Sequence, residues 1–209
     1  MSWTGRLTQE ERRTRTRAAV LTAAAGVFAG YGFHDASVEE IANAAGVSKG
    51  AVYYSFPSKD ELFTALMEQR IDAWVDAMNS TPQTASLNGQ ASHAVSGFFA
   101  QLDADPSWTP LLLEFLAYGA RDERARELMR ERFFGALNAA VAVTAAQRTS
   151  AAGLRDVPVD EFAAGVTALA CGLGIERLFS PDRQVDDVMT SMLELLLEGL
   201  VARSLRADT

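Results

Sequence analysis

A chain of 209 residues, 48% of them hydrophobic, is long enough to bury one sizeable core or to join a small module to a larger one, while no apolar run reaches the roughly 18 residues of a membrane span: the best candidate, Phe162 to Ile175, is shorter, interrupted by Thr167 and flanked by charge. The charged amino-terminal stretch lacks the apolar region and cleavage site of a secretory signal, and the single cysteine, Cys171, has no His or acidic neighbour and cannot form an internal disulfide, so a folded cytoplasmic protein without a membrane partner is expected. The net charge of −8 hides an asymmetry: residues 1–59 carry seven basic and five acidic side chains, for +2, and residues 60–209 carry twelve and twenty-two, for −10.

Nearly every segment carries the 3.6-residue period, and no run alternates apolar and polar residues between hairpin turns, so the fold is expected to be all-α. The first helix opens on the capping box Thr8-x-x-Glu11 and puts Val20, Leu21, Ala24, Phe28 and Tyr31 on one face. Gly32 is placed to end it as a Schellman motif, with Phe33 returning onto Phe28. Capping boxes recur at Ser37-x-x-Glu40 and Ser58-x-x-Glu61, with Ser48 as a further cap between them. These signals predict a short second helix over 38–45, a tight break at Gly46 and Val47, a third helix over 49–55 and a long fourth over 59–79. The pattern is a helix-turn-helix within residues 1–58, followed by a larger helical domain over 59–209. In that domain the polar stretch Ser80 to Gln90 reads as a loop, and helices are predicted over 91–103, 108–119, 122–148, 159–179 and 185–206, with Gly153 to Pro158 among the breaks between them.

On a helical wheel of residues 48–56, Val52 and Phe56 share the apolar face and should lock the third helix onto Val20, Leu21, Phe28 and Ile41. Gly50 and Tyr54 point away from Val52, with Tyr53 and Ala51 on the flanks. A helix entering the major groove of double-stranded DNA needs small residues where its backbone approaches and side chains such as Tyr, Ser and Lys that reach phosphates or thymine methyls. The alternative for Tyr53 and Tyr54 is a pair of half-buried aromatics. Lys59 is either a solvated first-turn lysine or, being a cation at a helix start, a partner for an outside anion.

From about Arg13 to Leu66 the chain resembles the amino-terminal domain of the TetR family of transcriptional regulators, on "VLTAAAGVFAGYGFHDASVEEIANAAGVSKGAVYYSFPSKDELF" and its fixed spacings. The resemblance implies that Ser37 and Ser48 cap helices at the DNA backbone, that Lys49, Gly50 and Tyr53 lie at base edges and that Tyr54 and Lys59 hold phosphates; Ser55 stands where the family usually has His or Tyr. Arg12, Arg13, Arg15 and Arg17 suit sequence-independent, salt-dependent contacts to the backbone, Arg17 foremost.

Aromatic and aliphatic side chains recur at helical spacing in the second domain: Trp74 and Met78; Phe98, Phe99 and Leu102; Trp108, Leu112, Phe115 and Tyr118; then Met129, Phe133, Phe134 and Leu137. They either form a helical core or together line a cavity for a small apolar ligand. The family resemblance implies such a cavity among the central helices, with Glu114, Tyr118 and Arg121 as candidate polar handles. The last two helices carry small residues (Gly165, Gly172, Gly174) and more apolar positions than one buried stripe needs (Val185, Val188, Met189, Met192, Leu193, Leu195, Leu196, Leu197), which calls for a partner. The resemblance implies a homodimer through a four-helix bundle, which also suits two recognition helices reading a palindrome.

No catalytic constellation, metal set or cofactor is expected. Neither His34 nor His93 has a glutamate three residues before it, as di-metal helical bundles need, and Ser/His or Cys/His pairs and glycine-rich phosphate loops are missing from the sequence. The reading is a ligand-responsive regulator, in the family's usual manner a repressor. The alternative, a helical protein-interaction module, leaves the outward tyrosines idle.

Overall fold

The computed structural model describes residues 8–79, 87–151, 157–182 and 184–207, and every regular element among them is helical. The elements are α1 (Gln9–Asp35), α2 (Val38–Ala45), α3 (Lys49–Ser55), α4 (Lys59–Asn79), α5 (Leu87–Ala104), α6 (Trp108–Gly119), α7 (Glu123–Leu128), a π-helical segment (Met129–Gly135), α8 (Ala136–Ala151), α9 (Val159–Phe179) and α10 (Val185–Ala207). Packing groups them into two units: Met1–Arg70 with Pro110–Ala125, and Ile71–Thr109 with Arg126–Thr209. This differs from a division at 58/59, because the first turns of α4 bury Leu62, Phe63, Leu66 and Met67 in the first unit.

The caps set the helix starts of the first unit. Glu11 and Glu40 donate their backbone N–H groups to Thr8 Oγ1 at 3.2 Å and Ser37 Oγ at 3.1 Å, while Thr8 N–H and Ser37 N–H donate back to the glutamates at 2.7 and 2.8 Å. Those bonds favour the ionised carboxylates and hold both Glu11 and Glu40 below the ordinary range. Glu61 N–H donates to Ser58 Oγ at 3.0 Å, which starts α4.

The end of α1 is not the expected Schellman motif. Gly32 has φ 75° and ψ 171°, so α1 kinks there and makes one more turn to Asp35. Phe33 N–H is thereby turned outward and donates to Glu114 Oε2 on α6, a partner 81 residues away. The Phe28 and Phe33 rings still meet, with centroids 5.9 Å apart. A Schellman ending does occur one helix later, where Gly46 sits at φ 67°, ψ 31° and Val47 N–H donates to Ala42 O at 3.0 Å.

The core of the first unit is an aromatic cluster. Phe63 of α4 lies 5.2 Å from Phe28, 4.5 Å from Phe33 and 5.5 Å from Phe115 between ring centroids. Such pairs add about 0.5–1.5 kcal/mol each beyond area burial. Val20, Ala24 and Val27 of α1, Ile41 of α2 and Val52 of α3 complete it, whereas Tyr31, expected on the inner face of α1, is exposed, the buried side chains at that end of the helix being Val27, Phe28 and Phe33.

In the second unit α8 pairs with α9, and α10 packs on α5 and α9. Arg177 ties the three together, donating to Asp103 of α5 at 2.7 Å and Asp186 of α10 at 2.6 Å while its guanidinium sits 5.4 Å from the Phe99 ring centroid. The helix expected over 122–148 runs without interruption over 123–151 but widens within it into a π-helical segment, between α7 and α8. A Cβ on Gly135 would lie 3.1 Å from Arg130 O, so the wide turn closes on a residue without a side chain. The first seven residues of the expected 80–90 loop, and 153–156 of the expected Gly153 to Pro158 break, lie outside the described residues; α5 begins earlier than expected, at Leu87.

A Cβ on Gly32 would adopt an unfavourable positive φ and lie 2.8 Å from Glu114 Oε1. Gly32→Ala is therefore expected to cost about 2 kcal/mol, read as a lower urea midpoint at unchanged m; wild-type stability in this variant would contradict the account of the kink.

Candidate nucleic-acid interface

Helices α2 and α3 with the Gly46 turn form the helix-turn-helix, and α1 packs against both. Ser48 caps α3, accepting from Ala51 N–H at 3.2 Å. Because Val52 and Phe56 are buried at 1% and 2% exposure, the opposite face must point outward, and Tyr53 and Tyr54 are 44% and 76% exposed. The half-buried alternative does not hold for Tyr54, whereas Tyr53 keeps more than half of its surface covered. Lys49 and Gly50 are exposed on the same helix, Ala51 is half-buried beside them, and Ser37 is exposed at the start of α2. Lys49 Nζ lies 4.0 Å from Glu39 Oε2, an exposed pairing of little energetic weight that leaves the ammonium accessible. Ser55 donates its hydroxyl to Ala51 O at 3.1 Å, a bond within its own helix.

Two basic residues have structural partners that the sequence did not reveal. Arg17 Nη1 donates to Ser55 O at 2.9 Å and its guanidinium lies 4.0 Å from the Phe56 ring centroid, so it caps the carboxyl end of α3 from α1 while remaining exposed. Lys59 donates through Nζ to Phe33 O at 2.7 Å, His34 O at 3.0 Å and Ala36 O at 3.0 Å, with the Phe33 ring centroid 4.7 Å away. Three donors meet three carbonyls. The structure thus gives Lys59 a different occupation from the phosphate contact that the resemblance implies: it closes the end of α1, where free carbonyls carry the negative end of the helix dipole.

The residues expected around an apolar ligand fall in both units. Phe98, Phe99, Trp108, Phe133 and Leu137 are buried in the second unit, where Phe98 meets Phe99 at 5.1 Å and Trp108 meets Phe133 at 6.1 Å between ring centroids. Leu102 is half-buried there, close enough to Gly174 that a Cβ on the glycine would come within 3.0 Å of it, so Gly174 faces α5 rather than outward. Leu112, Phe115 and Tyr118 belong to the first unit, Phe115 and Tyr118 within its aromatic cluster. The side chains of Trp74 and Met78 lie outside the described residues. Of the candidate polar handles, Glu114 is taken by Phe33 N–H, Arg121 is exposed, and burial, with the Asp122 and Asp60 carboxylates adding to it, pushes the Tyr118 hydroxyl up to about 12. Burial likewise pushes the Cys171 thiol up to about 11, which suits a packing residue.

On α9 and α10 the exposed apolar side chains are Leu178, Phe179, Met192, Leu195 and Leu196, and a Cβ on Gly165 or Gly172 would meet nothing within 4 Å.

A helix-turn-helix with an outward, hydroxyl-bearing recognition helix, joined to a helical second region, defines a DNA-binding regulator class. Residues 20–66 match the family model of bacterial regulatory proteins of the tetR family, and residues 88–202, more than half the chain, match the carboxy-terminal model of BetI-type transcriptional repressors. The chain belongs to the TetR family of DNA-binding transcriptional regulators. It is 36% identical over 110 residues to the transcriptional activator FasR of Mycolicibacterium smegmatis and 46% identical over 57 residues to the transcriptional regulator RutR of Escherichia coli K12. Those matches span 52% and 27% of this chain, and only 48% and 27% of the relatives' own lengths. Its fold is similar to that of a transcriptional regulator from Rhodococcus sp. (TM-score 0.74, 21% identity, 88% of this chain and 96% of that one) and of a regulator from Saccharomonospora viridis solved in complex with choline (0.72, 22%, 88% and 96%).

Lys59→Met keeps the stem and removes the ammonium, leaving three carbonyls short of a donor. It is expected to cost about 2 kcal/mol of stability and to leave the salt dependence of DNA binding unchanged. A stable variant whose salt slope is shallower by about one unit would instead return Lys59 to the phosphate contacts.

Proposed function

We propose that this regulator is a homodimeric repressor that reads a palindromic operator through α3 and is released by a small ligand held in its carboxy-terminal region. One observation carries the DNA half of this reading: burial of Val52 and Phe56 forces Tyr53 and Tyr54 outward on a helix whose start, at Lys49 and Gly50, is open. Gly50 lets the α3 backbone approach a groove, Tyr53 and Lys49 reach base edges, and the Tyr54 hydroxyl, with Arg17 nearby on α1, serves phosphates. Ser37 and Ser48 hold the two helix starts in place, with Ala51 small enough not to obstruct the approach.

Repression is favoured by the match of residues 88–202 to BetI-type repressors. That a regulator of similar fold from Saccharomonospora viridis was solved in complex with choline supports a small-molecule ligand for this chain. Dimerisation is supported by the exposed apolar side chains of α9 and α10, which together with the open Gly165 and Gly172 leave a smooth surface suited to a second copy. Helix α9 is long and apolar enough, by length and composition, to cross a membrane, with a mean hydropathy of 1.4; we read that apolarity as a helix divided between core and dimer face, in a cytoplasmic protein. The continuous helix α4 begins in the first unit and ends in the second. A ligand that moved its far end would change the spacing of two recognition helices, and a coupling of about 1–3 kcal/mol would alter DNA affinity by roughly 5- to 150-fold. The acidic charge beyond residue 59 would keep DNA away from the rest of the molecule.

Tyr54→Phe is expected to weaken binding to all duplexes by a similar factor, about fivefold for one lost hydrogen bond, as measured by fluorescence anisotropy at several salt concentrations; normal binding would remove Tyr54 from the interface. For the dimer, sedimentation velocity should give a two-chain species that Leu195→Glu converts to a monomer. A wild-type monomer would overturn the palindrome with the dimer.

A further inference from the structure

Among the described residues of the second unit, two buried side-chain polar atoms have no hydrogen-bond partner, Asn138 Oδ1 and Thr167 Oγ1. They stand on α8 and α9, the paired helices of that unit. Thr167 is only 5% exposed. A threonine inside a helix ordinarily satisfies its hydroxyl on the carbonyl one turn back, and Thr149, equally buried on α8, does so, donating toward Ala145 O at 3.0 Å and Ala146 O at 3.1 Å. Thr167 does not. A buried hydroxyl or amide oxygen left unpaired is costly, so each such group in a native fold calls for a partner that completes it.

A second, independent feature lies next to Asn138. The π-helical segment Met129–Gly135 ends one residue before α8, and π turns inside helices concentrate at functional sites because the extra residue re-aims the side chains that follow. Here Phe133 of the π segment is buried against Trp108, and Asn138 follows within a turn.

We propose that Asn138 and Thr167 are the polar anchors of the ligand site in the carboxy-terminal region, and that the ligand is an uncharged molecule with an apolar body and a hydroxyl or amide group. The proposal rests on the ligand-responsive reading above and narrows its chemistry. Among the described residues the fully buried polar side chains of this unit are Thr149 and Thr167, neither charged, and the part-buried Arg177 is already engaged by Asp103 and Asp186. A carboxylate or ammonium ligand would therefore be desolvated without a counter-charge. A wholly apolar one would leave Asn138 and Thr167 as unpaired as they are now. A hydroxyl group donates to Asn138 Oδ1, and an oxygen or amide carbonyl of the ligand accepts from the Thr167 hydroxyl.

The test uses the full chain and four probes with one body and different heads: 4-phenyl-1-butanol, butylbenzene, 4-phenylbutyrate and 4-phenylbutylamine. Calorimetric titration should rank the alcohol first, and Asn138→Leu and Thr167→Val should each cut its advantage over butylbenzene by roughly 5- to 10-fold. Equal or tighter binding of the carboxylate or the ammonium, retention of the full advantage by both variants, or no binding by any probe would overturn the proposal. Without any probe, Thr167→Val should raise the melting temperature by about 2–4 °C, since it removes an unpaired buried hydroxyl at nearly constant volume; a fall would mean that the hydroxyl is already satisfied and would overturn the assignment. DNA binding is measured separately on the same samples. Intact DNA binding with no probe bound defeats the site alone, whereas probe binding that never releases DNA supports the site and defeats the repressor reading.

Discussion

Everything in the first unit depends on how α1 is brought to an end. The chain must reverse between α1 and α2 so that Phe28 and Phe33 face Phe63, and only a glycine takes the positive φ found at Gly32 without strain. The kink exposes one amide and three carbonyls, which are satisfied from other helices: Glu114 accepts the Phe33 N–H, and the Lys59 ammonium donates to Phe33, His34 and Ala36. The base comes from α4 and the acid from α6, both later in the sequence than the kink they serve. One closure therefore fixes α1, α4 and α6 with respect to one another, and α2 and α3 are then positioned by packing against α1.

The recognition helix follows from that closure. At seven residues α3 is too short to be stable alone, so it exists because Val52 and Phe56 are buried and because Ser48 and Arg17 satisfy its two ends. Once those are set, the direction of Tyr53 and Tyr54 is no longer free. On the proposed reading, the affinity of this helix for DNA is built partly from the buried groups that set its direction. Arg17 shows the economy of this arrangement, since its guanidinium holds the end of α3 and remains exposed.

Local chemistry made most of this legible in the sequence. The capping serines and threonine, the Gly46 break and the 3.6-residue period placed α2, α3, α4, α6 and α9 at their observed bounds, because each of those signals acts over a few residues. What was not legible is long-range. Nothing near Gly32 announces that its neighbour's N–H will find Glu114, and nothing near Lys59 distinguishes an ammonium that serves three carbonyls from one that awaits a phosphate. The π-helical segment was hidden for another reason: "MRERFFG" consists mostly of ordinary helix formers, so no local preference in it announces the wider turn. Thr167 was visible in the sequence only as an interruption of an apolar run. Its unpaired hydroxyl became apparent only in the folded chain, where the side chain is buried.

The central claim is that α3 reads sequence in DNA as one half of a symmetric pair. The measurement that tests it most directly is selection of bound duplexes from a random library by the full chain at near-physiological salt, followed by sequencing. The account predicts an enriched palindrome whose half-sites are separated by about one helical turn, roughly 10 base pairs. Binding without enrichment of any sequence, or an enriched motif lacking two-fold symmetry, would contradict it.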